Sequence, residues 1–353
     1  MKVCYFGNYE QTYTRNRIII KGLKKNGVDV VECNDRSQIF FRYLKLIKKH
    51  LSIADYDVMI VGESGQPIMP LGKILSKMRK KHLIFDPFIS LYDTSVFDKK
   101  SVKEGSIKAS ILYYLDRYSC YLADIVLTDT DQHAKYFNEE FGVPITKMRT
   151  VYIGADSDIF YPRDSEKEDD TFKVVFHGSF LPLHGISYII KAAKLLENEH
   201  SIQFEIIGKG QTYDVDLALS KKLDVKNIIF KNWMPFKVLP KHIAKADVYL
   251  GIFGDTNKAK RVIPNKAYEV IAMKKPLITG DSPAIREAFT NRENVLLCEM
   301  ANPESLANAI LELKDNEKLR ENIAKNGYKL YKERFSPEKI GKEMIKIIEY
   351  VIC

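Results

Sequence analysis

"RVIPNKAYEVIAMKKPLITGD", residues 261–281, reads as a helix followed by a strand. Proline suits a first helical turn, and the unpaired N–H groups of a helix start, at the positive end of its dipole, suit phosphate. Lys258, Lys260, Arg261 and Lys266 crowd that end, with Asn265 between the proline and Lys266. On a basic chain the same cluster also fits a plain solvated loop. The next turn is apolar: Tyr268, Val270, Ile271 and Met273 are expected to be buried, and Glu269 is set among them. A carboxylate in such a place needs hydroxyl or N–H partners. Ribose hydroxyls would serve, and so would a neighbouring backbone.

Working outward, "FKVVFHG", "SIQFEIIG", "NIIFKN" and "DVYLGIF" precede this helix as strands, and "NVLLCE" follows it. The first half repeats the pattern with "KVCYF" (2–6), "VDVVE" (28–32), "YDVMIV" (56–61), "HLIFD" (82–86), "DIVLT" (124–128) and "RTVYI" (149–153). Short β-branched runs alternating with helix-length segments predict parallel sheets covered by helices. The expected fold class is α/β, with two Rossmann-like doubly wound domains facing across a cleft. The polar stretch "YPRDSEKEDDT" (161–171) marks a linker near residues 155–171, giving one domain over 1–160 and a second over 161–336. The pattern beyond 303 is helical, and the helix 337–353 is expected to pack back on the first domain. Ligands of such sheets sit at the carboxyl ends of strands, where the strand order reverses.

The chain has 353 residues and a formal net charge of +9, from 55 basic and 46 acidic side chains. That excess suits phosphate-bearing ligands, acidic membrane surfaces or nucleic acid without choosing among them. Five scattered cysteines with no Cys-x-x-Cys pair argue for a reducing compartment and against a zinc or disulfide framework. The chain enters a strand at once, so no signal peptide is expected. The most apolar long window, 109–127, contains Asp116, Arg117 and Asp124 and reads as a helix and a strand outside lipid.

Three further segments carry candidate chemistry. "FHGSFLPLHG" (176–185) is a strand end followed by a loop in which Gly178 allows close backbone approach; His177 and His184 flank it, as packing, capping or binding groups. "IIGKGQTYD" (206–214) has Gly208 and Gly210 but Tyr213 where a dinucleotide fingerprint needs glycine, so a nicotinamide enzyme is poorly supported. "TDTD" (128–131) could hold a divalent cation, but Thr128 or Thr130 capping the next helix is preferred, and no metal site is expected.

From about residue 150 to 336 the chain resembles the retaining glycosyltransferases of family 4, which have the two-domain GT-B fold. "VYIGADSDIFYP", "GSFLPLHG", "IIGKG", "KADVYLGIF", "PNKAYEVIAMKKPLITGD", "AIREAF" and "NPESLANAILEL…ERFS" carry the resemblance by their order and spacing. It implies a nucleotide-sugar donor bound by the second half, an acceptor bound by the first, and no metal or other cofactor. Glu269 matches the glutamate that holds the donor ribose, Gly178 the glycine opening the phosphate loop, and Gly208 and Trp233 lie in loops bordering the nucleotide. Gly7 and Asn8 match the loop after the first strand. In two respects the sequence departs from the family. The family's second glutamate, eight positions before Glu269, is Arg261 here, and the usual Arg and Lys of the phosphate loop are Ser179 and His184. The diphosphate then needs other cations, and Lys266 with Arg261 are the candidates. On the acceptor side, Asp86 and Asp93 in "FDPFISLYDT", and Arg15 with Asn16 opening the first helix, are acceptor contacts or ordinary capping and structural pairs.

The leading functional expectation is a cytoplasmic, metal-independent transferase that moves a sugar to a hydroxyl of a glycan or lipid-linked glycan, with no nucleic-acid partner. A sugar-nucleotide epimerase and a non-catalytic nucleotide-sugar or glycan-binding relative are the alternatives. "IFFRYLKLIKKHL" (39–51) adds a possible location. Ile39, Phe40, Tyr43, Leu44, Ile47 and Leu51 share one helical face, expected to pack on the sheet, while Arg42, Lys45, Lys48 and Lys49 lie around it. With "KMRKKH" (77–82), that basic rim could touch anionic lipid at the inner face of a membrane.

Overall fold

The computed structural model describes residues 1–164 and 170–352, the side chains of Ile39 and Phe40 excepted. The charged middle of the expected linker, 165–169, and those two apolar positions therefore lie outside the described residues. The chain forms two compact units, Met1–Gly154 with Phe335–Cys353, and Ala155–Arg334.

The first unit is built on six parallel strands: β1 (Lys2–Gly7), β2 (Asp29–Asn34), β3 (Val58–Val61), β4 (His82–Phe85), β5 (Ile125–Thr128) and β6 (Met148–Thr150). Their spatial order is β2-β1-β3-β4-β5-β6, so the reversal falls between β1 and β3. Period-2 alternation splits the core in two. Val3, Tyr5, Ile60 and Ile84 face the helices Thr14–Lys25 and Pro337–Ile352. Cys4, Phe6, Met59 and Phe85 face Ile39–Ser52, Met69–Met78 and Ile107–Leu122. The C-terminal helix packs so closely on the first one that a Cβ on Gly22 would lie 2.3 Å from the Pro337 carbonyl, and one on Gly341 2.1 Å from that of Gly22. Glycine at both positions is what lets the two backbones touch.

Two local expectations change. The strand expected over 149–153 stops at Thr150, and the carbonyls of Val151 and Tyr152 accept instead from the buried guanidinium of Arg15. In the helix Ile39–Ser52, the inward residues are Leu46 and His50 with Tyr43 and Ile47 partly buried, whereas Leu44 and Leu51 are more than half exposed. The sheet selects a stripe rotated from the one expected.

The second unit repeats the plan with β7 (Phe172–His177), β8 (Ile202–Ile207), β9 (Ile228–Lys231), β10 (Val248–Leu250), β11 (Leu277–Gly280) and β12 (Leu296–Cys298). All pair in parallel, in the order β12-β11-β10-β7-β8-β9. The reversal falls between β7 and β10. The helix Asn265–Ala272 links β10 to β11, and Lys266 through Ala272 are all buried. Two doubly wound parallel sheets in one chain are the Rossmann-like pair expected from the alternation.

Candidate active site

In the second unit the reversal point gathers residues from four segments. His177 closes β7, Tyr249 lies in β10, Lys266 and Glu269 stand one turn apart on the buried helix, and His184 ends the loop after β7. Tyr249 is wholly buried, and its hydroxyl is 2.5 Å from His177 Nδ1. His177 Nε2 is 3.1 Å from Glu269 Oε2. One oxygen of the buried Glu269 is therefore partnered by a side chain 92 positions away. Burial pushes the His177 pKa down, against the pull of Glu269, so the ring is neutral at neutral pH.

Lys266 is 4% exposed, and among the described residues its Nζ has no hydrogen-bond partner. It stands 3.7 Å from the ring centroid of Phe176, and burial pushes its pKa far down despite Glu269. A Cβ added to Gly178 would lie 2.8 Å from Nζ. The ammonium thus points at the backbone of the glycine loop. Gly178 itself has φ +149 and Gly208 φ +138; a Cβ on Gly208 would sit 2.0 Å from the Gly178 carbonyl, so only glycine lets these two strand-end loops meet. Pro264 occupies the N-cap of Asn265–Ala272 and supplies no side-chain cap. The helix start opens N–H groups beside a buried cation, an arrangement that receives anions.

His184 does not replace the missing loop lysine as a charge. It is buried, its Nδ1 donates to the Ser179 carbonyl, and burial followed by Lys266 drives its pKa far down. It staples the loop as a neutral ring. Ser179 and Asn265 are half-buried at the same edge, and Arg261 is half-buried in the turn before the helix. Trp233 is 62% exposed in the loop after β9. The residue missed from sequence is Tyr249. A tyrosine inside a strand buried on both faces needs a partner for its hydroxyl, and that was the available signal.

The first unit disposes of its candidates differently. Arg15 and Asp86 are both fully buried and pair at 2.8 and 3.2 Å, and the remaining guanidinium nitrogen donates to Val151 and Tyr152. Asn16 is also fully buried: Oδ1 accepts from the Tyr5 hydroxyl and the Glu63 amide, and Nδ2 donates to the Glu10 carbonyl. Asp93 is 3% exposed, in the turn Leu91–Asp93. Arg15, Asp86 and Asn16 are thus engaged in pairing within the unit. Asn8 differs. It is half-buried after β1, and Oδ1 has no partner among the described residues. Beside it, after β3, stands the half-buried Glu63, whose carboxyl is pushed up mainly by burial; it was not singled out from sequence. Thr130 caps the helix Asp131–Phe141 through the His133 amide at 3.0 Å, and Asp129 engages His133 Nδ1 at 2.6 Å. Among the described residues no group of three or more His, Cys, Asp or Glu could hold a metal ion.

Comparison with known proteins accords with this architecture. Residues 158–330 match the family of glycosyl transferases group 1. An uncharacterised glycosyltransferase of Methanocaldococcus jannaschii is 27% identical over 206 residues, 56% of this chain and 52% of that protein, so the match spans about half of that relative. The capsular polysaccharide biosynthesis glycosyltransferase CapM of Staphylococcus aureus is 21% identical over 88% of this chain and 81% of its own length. Among solved structures, Anabaena HepE, determined with UDP, superposes with a TM-score of 0.74 over 99% of this chain and all of that chain, at 14% identity. The two doubly wound sheets and this likeness over the whole length give the chain the GT-B fold, and residues 158–330, in its second unit, match the group 1 glycosyl transferases.

Proposed function

We propose that the protein is a retaining family 4 glycosyltransferase that moves a sugar from a nucleoside diphosphate sugar to a hydroxyl acceptor without a metal ion. The observation that carries this reading is the buried Lys266 ammonium, unpartnered among the described residues and aimed at Gly178 beside an uncapped helix start. A diphosphate there would meet a cation and helix-end N–H groups, beside a glycine with no side chain to hold it off. These groups gain most as negative charge builds on the departing diphosphate, which is how fixed dipoles and cations accelerate group transfer. Glu269, held by His177, would accept from the ribose. Arg261 would lend a second cation from the turn before the helix. HepE, solved with UDP and with UDP-glucose, is a likeness in fold that accords with such a donor.

The reading makes a measurable demand on Lys266. Burial pushes its pKa down, and an adjacent diphosphate would raise it, so binding should take up protons. Titrations of UDP and GDP by calorimetry in buffers of different ionisation enthalpy test this: net uptake above neutral pH supports the assignment, and proton-neutral binding overturns it. Incubation of the bound nucleotide-sugar with glycan acceptors then separates the alternatives, since transfer consumes acceptor, epimerisation does not, and a binding protein does neither.

For the acceptor we infer a glycan or lipid-linked glycan presented at an anionic membrane surface. No helix among the described residues is long and apolar enough to cross a membrane. Support comes from the outer side of Ile39–Ser52, Met69–Met78 and Ile107–Leu122, which cover one face of the first sheet. Phe41, Leu44, Ile74, Met78, Ile111 and Tyr118 are all more than half exposed there. The three helices hold eight Lys and Arg and a single acid, Asp116, which is fully buried. Apolar and aromatic side chains rimmed by cations suit an anionic interface, each cation adding about 1 kcal/mol near the surface. Cosedimentation with vesicles containing phosphatidylserine, lost on changing Arg42, Lys45 and Lys48 to Gln, supports this; equal recovery with neutral vesicles, or none with either, points to an acceptor free in solution.

A further inference from the structure

The donor site contains a proton arrangement that neither the phosphate nor the sugar chemistry requires. Glu269 Oε2, as a carboxylate oxygen, can only accept, so the nitrogen facing it, His177 Nε2, must carry hydrogen. His177 Nδ1 is then a lone pair, and the group facing it must donate. That group is the Tyr249 hydroxyl at 2.5 Å. Burial raises the pKa of Tyr249 far above its ordinary value, with Glu269 and Glu205 adding to the shift, so the hydroxyl keeps its proton across the working pH range.

We infer that Tyr249 and His177 are positioning residues: held at both nitrogens, the imidazole is locked in one orientation and aims the Glu269 carboxylate at the vicinal hydroxyls of a ribose. The inference rests on the donor-site reading above and adds how that carboxylate is oriented. Glu269 keeps the hydrogen on Nε2, and the Tyr249 hydroxyl, donating to Nδ1, fixes the ring plane; without it the ring is held at one end only and its N–H can turn away from the carboxylate. A neutral donor also suits the task better than a cation. A charged partner would compete with hydroxyls for the carboxylate, whereas a neutral N–H fixes one oxygen at a weaker hold. The groups facing His177 are Tyr249 from β10, Glu269 and Lys266 from the helix, and His184 from the loop. Of these, Glu269 favours the charged ring, and burial with Lys266 disfavours it. The pair bridges β7 and β10, the two strands between which sheet order reverses, so the lock sits where a doubly wound sheet receives its nucleotide.

The test compares the affinity of UDP and GDP with that of their 2′-deoxy forms, by calorimetry, because the ratio isolates the ribose and cancels the contribution of Lys266. In the native protein ribose should be preferred at pH 8, where the imidazole is neutral. Tyr249→Phe, which keeps the ring in its slot, should reduce that preference about fivefold near pH 8, the loss expected for one neutral hydrogen bond. Affinity for inorganic pyrophosphate, which lacks ribose, should stay unchanged in Tyr249→Phe; a merely structural tyrosine would lower both. In a His177→Gln background, adding Tyr249→Phe should change the ratio no further, since the ring that Tyr249 holds is gone. If the native protein binds neither ribonucleotide, the donor-site reading fails and this inference with it. If the native protein prefers ribose and Tyr249→Phe keeps the full preference, or loses pyrophosphate affinity in step with it, the inference alone fails.

Discussion

Between β1 and β3 of the first unit, and between β7 and β10 of the second, strand order reverses and neighbouring strand ends part. Each place holds a long cationic side chain withdrawn from water: Arg15 is fully buried and Lys266 is 4% exposed. Arg15 is met at once by both oxygens of Asp86 and by two backbone carbonyls. Lys266 has an aromatic face and no acceptor among the described residues. Taking a cation out of water costs several kcal/mol unless it is paired. In the first unit the fold supplies the partner, so the residues act as a clasp. In the second, on the proposed donor reading, the partner is the diphosphate of a ligand. Equal burial of charge can therefore mark architecture in one half of a chain and a binding site in the other, and the hydrogen-bond partners tell them apart.

The sharpest way to break this contrast is to remove one partner from each place. Asp86→Ala leaves the Arg15 guanidinium buried and uncompensated, and should lower stability by about 3–5 kcal/mol, read from urea denaturation followed by circular dichroism. Lys266→Met should do the reverse: it replaces an unpaired buried cation by an apolar chain of similar length, so stability should hold or rise. Its affinity for UDP or GDP should fall by a factor of about 10–100, as for loss of a charged hydrogen bond. If Lys266→Met unfolds the protein, or binds normally, Lys266 is a clasp like Arg15 and the comparison collapses.

A second buried acid sharpens the picture of the first unit. Asp116 accepts from Ser90 Oγ, the Leu91 and Tyr92 amides and Gln66 Nε2, tying the loop after β4 to the helix Ile107–Leu122. Burial outweighs these donors and pushes its carboxyl up to about 6. The folded state thus holds the proton more tightly than the unfolded chain. Ionisation costs stability as pH rises from about 4 to about 6, by at most roughly 3 kcal/mol, and the loss persists above that window. The difference between native protein and Asp116→Asn should therefore shift across this window and stay level above it. A pH-independent difference in urea midpoint would show that the four donors dominate.

Smaller effects are expected at "TDTD". Thr130→Ala removes the cap of Asp131–Phe141 and should cost about 1 kcal/mol of stability. On the proposed mechanism, sugar transfer should survive excess EDTA unchanged; loss of transfer restored by magnesium or manganese would return Asp129 and Asp131 to candidacy as metal ligands.

The alternation of strands and helices, the cap at Thr130, and the one-turn spacing of Lys266 and Glu269 on a buried helix are all written in neighbouring residues. Each depends on a period of two or 3.6, or on a single turn of backbone. The stripe of Ile39–Ser52 that faces inward was not legible in this way, because the helix is apolar on more than one side and the sheet chooses Leu46 over Leu44. Nor were the partners. Arg15 reaches Asp86 across 71 positions, and Glu269 reaches His177 across 92 and, through it, Tyr249. Those meetings depend on which strand ends the crossovers set side by side. The sequence by itself determined that a cation and a carboxylate would sit on one face of a buried helix. Only the tertiary structure decided that the carboxylate would be held by a neutral histidine and the cation left without an acceptor, since desolvation and pairing are set by what the other strands bring to that point.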